Sequence, residues 1–140
     1  MLRVADTYGH PIIVTLAKPH WVTNSCDFFY KTVGSIIRQL KIPVVYAREF
    51  INESPEALRA MSEEDTMTFW SDAKGMAIRA KVEKIYSQYP GQTWKNVISI
   101  GDSNFEREGT RAVIRQYLDS MGIHAEKSGG LVEGEAPHIV

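Results

Sequence analysis

The stretch "NVISIGDSNFERE", residues 96–108, decides how the rest of the chain is read. An apolar run, Val97-Ile98-Ser99-Ile100, leads into Gly101-Asp102-Ser103. A polar, helix-like segment follows, with Glu106 in its first turn. A short, continuous run rich in β-branched residues favours a buried strand. Three roles fit the tip of such a strand. Asp102 and Glu106 together suit a hard cation such as Mg²⁺, which needs only one or two carboxylates. Ser103 offers a hydroxyl nucleophile. In the plain alternative, Asp102 caps the next helix and Glu106 complements its dipole.

Two more runs of the same kind lie upstream, Pro11–Leu16 and Pro43–Ala47. Helical patterns separate the three. One starts at Asn24 or Ser25 and reaches about Leu40, with Phe28, Phe29, Val33, Ile36, Ile37 and Leu40 as its apolar stripe. A second spans about 73–89, capped by Ser71 or Asp72, with Met76, Ala77, Ala80, Ile85 and Tyr89 inward and Pro90-Gly91 as its stop. A third runs from about Asn104 to Met121, with Val113, Ile114, Tyr117 and Leu118 inward. Residues 53–66 read as an acidic loop with one helical turn, and 127–140 as a loop or edge-strand tail. Strand–helix alternation predicts an α/β fold with a parallel sheet. Ligands bind such sheets beyond the strand C-terminal ends, where Thr15, Ala47-Arg48 and Asp102 fall.

The 140 residues fit one domain, with 44% hydrophobic and 24% charged residues. A net charge of −1 supplies no basic footprint for nucleic acid and no polybasic membrane patch. No run approaches the roughly 18 apolar residues of a membrane span, and the start has no long apolar signal region. The single cysteine, Cys26, excludes an internal disulfide and suits a reducing, cytoplasmic setting as a buried structural thiol.

Each candidate also has a bland reading. Thr15 can bind a phosphate oxygen, yet Thr is a common strand residue. Lys74 can neutralise a carboxylate cluster or phosphate, yet most helix-start lysines are solvated. Ser103 within Gly-Asp-Ser also resembles the GDSL-type esterases, with His124 or His138 as partner. Only 37 residues follow Ser103, too few for the remaining strand–loop blocks of that family.

Taken together, the spaced features resemble the haloacid dehalogenase-like (HAD) superfamily over about residues 8–120. "PIIVTLA" resembles its second motif, with Thr15 at the strand end. Lys74 is a candidate for the third motif. "ISIGDSNFE" resembles the fourth, with Asp102 and Glu106. The resemblance implies a three-layer, Rossmann-like parallel sheet and a phosphohydrolase-type site for a small phosphorylated substrate. Thr15 and Lys74 would be the catalytic residues, and Asp102 and Glu106 the Mg²⁺ ligands.

One departure is large. The family's first motif, Asp-x-Asp, supplies the nucleophile, and this sequence contains none. Asp6-Thr7-Tyr8 lies nine residues before Thr15, too close for a crossover. Leu2–Tyr8 reads instead as the end of a helix. The expected sheet is therefore incomplete at its first strand, and the chain is expected to be inactive alone. An open sheet edge invites a partner chain or a missing N-terminal segment. The rival expectation is a non-catalytic interaction or regulatory module.

Overall fold

The computed structural model describes residues 1–94 and 96–123. Six helices and two strands form in the order α1 (Leu2–Tyr8), β1 (Ile13–Thr15), α2 (Trp21–Phe28), α3 (Lys31–Gln39), β2 (Val44–Tyr46), α4 (Pro55–Ala60), α5 (Glu63–Tyr86) and α6 (Asn104–Ser120). A 3₁₀ turn at Ala47–Phe50 follows β2. None of the described helices is long and apolar enough to cross a membrane.

β1 and β2 pair in parallel, with Ile13 opposite Val44, Val14 opposite Val45 and Thr15 opposite Tyr46. Both were expected as strands in this orientation. The third strand does not form. Among the described residues the sheet has two strands, and 61% are helix against 5% strand. The expected three-layer, Rossmann-like sheet, whether or not it lacked a first strand, is therefore overturned.

The reason lies in α5 and α6. Helix α5 packs against β1 and the 3₁₀ turn, and α6 packs along α5. The two helices cross at a seam of small residues. A Cβ at Gly109 would stand 2.8 Å from the Ser71 carbonyl oxygen and 3.1 Å from the Gly75 nitrogen. Trp94 stacks on Tyr117 with ring centroids 4.2 Å apart, and the Trp94 backbone N–H donates to the Tyr117 hydroxyl at 3.0 Å. Ser103 then caps the start of α6. Between these two anchors, Val97–Ile100 pairs with no strand among the described residues. A strand without a neighbour has no ladder to join.

The core is thin. Val45, Ala47 and Ala77 form its buried centre, and Ile12, Val14, Leu16 and Phe50 close around it. Among the described residues no large side chain is under 2% exposed.

Several helical expectations also change. The single helix from Asn24 to Leu40 is split at Phe29-Tyr30, because α2 ends and Tyr30 caps α3 with a non-helical ψ of 52°. Only the first part of the expected stripe turns outward, with Phe28 and Phe29 each 79% exposed, while Ile36, Ile37 and Leu40 stay half-buried. Acidic residues 63–65, with Ser62 as cap, start α5 a full eight residues before Ser71. An acidic first turn at a capped N-terminus favours helix over loop. Met76, Ala80 and Tyr89 point to solvent, while Ser71 and Lys74 are buried. Helix α6 and the helix at Leu2–Tyr8 fall where expected, and Cys26 is buried. The tail 127–140, with His138, and His124 lie outside the described residues.

Candidate functional site

Three of the four expected site residues come together at the start of α6. Lys74, one turn beyond Trp70 on α5, is 5% exposed. Its Nζ pairs with Oε1 of Glu106. The other carboxylate oxygen of Glu106 turns back on its own helix. It accepts the Ser103 N–H at 3.2 Å and the Ser103 hydroxyl. This is the acidic half of a capping box, Ser103-x-x-Glu106. Gly101 is small for the same reason, since a Cβ there would lie 2.4 Å from Cγ of Glu106. The Gly-Asp-Ser sequence thus lets a carboxylate fold over the chain that precedes α6.

Asp102 is exposed, yet close enough to act on Lys74. Burial pushes the Lys74 ammonium below its ordinary value of 10.5, and the Asp102 charge opposes that shift. The unfolded chain therefore keeps this proton over a range, ending near pH 10.5, in which the folded protein has begun to lose it. Through that range the unfolded state binds more protons, so the Lys74 contribution to stability rises with pH. Urea midpoints of wild type and Lys74→Met, taken in steps up to pH 10.5, are expected to diverge, with wild type gaining relative to the variant. Other alkaline titrations are common to both chains. Parallel curves would place the Lys74 proton equally in both states and sink the assignment.

The Thr15 hydroxyl accepts the Ala17 N–H at 3.1 Å, and among the described residues no hydrogen bond or ion pair joins it to Lys74. The strand ends are stitched instead by Arg48, whose Nε donates to the Leu16 carbonyl and whose guanidinium lies 4.5 Å from the centre of the Trp70 ring. Arg48 was legible only as a residue at a strand tip. Its cation–π partner, about 20 residues downstream, has no sequence signal.

Among the described residues no three His, Cys, Asp or Glu side chains gather as a metal cluster. Among the described residues Asp102 makes no hydrogen bond or close ion pair, while both oxygens of Glu106 have partners. Two surface clefts lie elsewhere. One sits at the N-terminal ends of the strands, lined by Asp6, His10, Ile12, Leu40 and Lys41. The other is a shallow surface on α5 around Glu63, Glu64, Met67 and Thr68. No protein-family model, curated protein or solved structure matches the chain.

Proposed function

We propose that this chain is a non-catalytic interaction module whose docking element is the segment Val97–Ile100. The observation that carries the reading is that an apolar strand-forming run lies open, with Ile98 82% and Ile100 76% exposed. Among the described residues none supplies a backbone hydrogen-bond partner to Val97, Ser99 or either isoleucine. Backbone groups left in this way are a template for another strand. The Lys74–Glu106 pair then serves the fold, by fastening α6 to α5.

A second reading keeps a phosphate- and Mg²⁺-binding site of the kind the HAD resemblance implies. The observation favouring it is the closeness of Lys74 to Asp102. It assigns the ion to Asp102, supported by Glu106, and the phosphate to Thr15 and Lys74. Turnover by that site would need a carboxylate in line with phosphorus, about 3–3.5 Å away, and Asp-x-Asp is absent from the sequence.

The two readings separate in a phosphate-release assay on a generic phosphomonoester with Mg²⁺. The expected result is no release above the blank, from wild type or from Asp102→Ala. Robust release by wild type that disappears in Asp102→Ala would overturn the interaction module and establish the second reading. Asp6 would then be the first nucleophile to test.

A further inference from the structure

Beyond the docking segment, we infer that the cleft at the N-terminal ends of the two strands binds a small zwitterion with an apolar body, by class an apolar α-amino acid. The cleft has a volume of about 210 Å³, below the roughly 300–1,000 Å³ of sites for drug-sized ligands, so its occupant is small. Ile12, just before β1, Leu40, at the end of α3, and Ile85, on α5, line it and are half-buried. Asp6 and Lys41 add opposite charges to the same lining.

Both charges stand where local rules disfavour them. Asp6 lies in the last turn of α1, a turn with no basic residue, and a carboxylate there meets the negative end of the helix dipole. Lys41 has a φ of 53°, the left-handed conformation that glycine adopts without strain just past a helix end. A neutral residue at 6 and a glycine at 41 would serve the fold better. Locally disfavoured residues concentrate at functional sites, and here two of them line one cleft. Nor do they neutralise each other. Among the described residues neither side chain has an ion-pair or hydrogen-bond partner.

The pairing of charges selects the ligand. A simple cation would be opposed by Lys41, and a simple anion by Asp6. A molecule that carries both charges answers both, with its ammonium toward Asp6 and its carboxylate toward Lys41. An apolar side chain on the same molecule covers Ile12, Leu40 and Ile85, which is the favourable removal of apolar surface from water. Asp6 and Lys41 are exposed, and exposed ion pairs are weak. The Kd is accordingly on the order of 1 mM.

The test is a two-dimensional ¹H–¹⁵N NMR titration of the full chain with L-leucine, up to about 10 mM so that a site of that affinity fills. It is run at about pH 8, where imidazoles ordinarily carry no charge, because His10 also lines the cleft. Two truncated probes accompany it. 4-Methylpentanoate keeps the carboxylate and the branched chain without the ammonium, and 3-methylbutylamine keeps the ammonium and the chain without the carboxylate. The expected result is saturable shifts at the amides of the cleft with L-leucine, and binding of each truncated probe weaker by about two- to five-fold, the range for an exposed ion pair. Asp6→Asn is expected to lose the preference for L-leucine over 4-methylpentanoate and to keep the preference over 3-methylbutylamine. Lys41→Gln is expected to do the reverse. Both side chains are exposed, so both variants keep the fold. An absence of saturable shifts, shifts centred outside the cleft, or variants that keep both wild-type preferences would each overturn the inference. Val97–Ile100 does not line this cleft, so those outcomes leave the interaction-module reading standing.

Discussion

Gly109→Leu is expected to abolish cooperative unfolding, the largest effect of any single change in this chain. An alanine in place of glycine on an exposed helix ordinarily stabilises by about 0.5–1 kcal/mol. At position 109 that sign reverses. The first carbon added would meet the Ser71 carbonyl oxygen at 2.8 Å and the Gly75 nitrogen at 3.1 Å. Both are backbone atoms of α5, so neither can swing aside as a side chain would. Relief requires α6 to lift off α5. Overpacking a close contact costs about 1–3 kcal/mol and occasionally more, which outweighs the helix-propensity gain for Gly109→Ala and greatly exceeds it for Gly109→Leu. Small domains hold only about 5–15 kcal/mol in total, and the thin core here argues for the low end. Gly9→Ala is the control, because nothing stands within 4 Å of a Cβ built there. Thermal melts by circular dichroism should show Gly9→Ala within about 0.5 kcal/mol of wild type, Gly109→Ala clearly lowered, and Gly109→Leu without a sharp transition. If Gly109→Ala melted at or above wild type, the close α5–α6 crossing would be wrong.

The second large effect is an asymmetry. Glu106→Ala is expected to destabilise by about 3–5 kcal/mol, the range for leaving a buried charge without its partner. Lys74→Met is expected to cost only about 1 kcal/mol or less, as when a buried ionic group gives way to an apolar one of similar volume. The two side chains are unequally buried, Lys74 at 7% exposure and Glu106 at 18%. Removing Glu106 strands an ammonium that burial already disfavours, and it also frees the Ser103 N–H. Removing Lys74 leaves a carboxylate with some access to water and both Ser103 bonds intact. Urea denaturation of the two variants and of Lys74→Met/Glu106→Ala checks this. The double variant should lie closer to Lys74→Met than to Glu106→Ala, because the stranded charge is gone. Equal losses in the two single variants would mean that the pair is solvated and that Lys74 does not sit where it is placed.

Much of the local structure could be read along the chain. The β-branched runs at Pro11–Leu16 and Pro43–Ala47 contain the two strands, in the predicted parallel orientation. Ser103 and Glu106 mark the start of α6, and the chain leaves it at Gly122 with a φ of 71°. Motif spacing led to the expectation that Thr15, Lys74 and Asp102 share a site at the strand tips; the structure pairs Lys74 with Glu106, sets the Asp102 charge near Lys74 and gives Glu106 its plain capping role. Other features were hidden. Nothing local says that α2 and α3 part at Tyr30, or that Thr15 turns its hydroxyl on Ala17. The seam of Ser71, Gly75 and Gly109 could have been suspected from the Ser71–Gly75 spacing of one helical turn, but its partner lies 34 residues on.

By itself, the sequence determined the two paired strands and the positions of α1 and α6, because backbone preference and capping act within a few residues. It also determined the absence of Asp-x-Asp, and with it the doubt over any phosphatase chemistry. Only the tertiary structure decided that Val97–Ile100 joins no sheet. A strand is completed by hydrogen bonds from another segment, so its existence depends on what the fold brings alongside. Here the glycine crossing and the Lys74–Glu106 pair hold α6 on α5. No described segment lies paired beside the residues that precede α6, which leaves a strand-forming run with its backbone open.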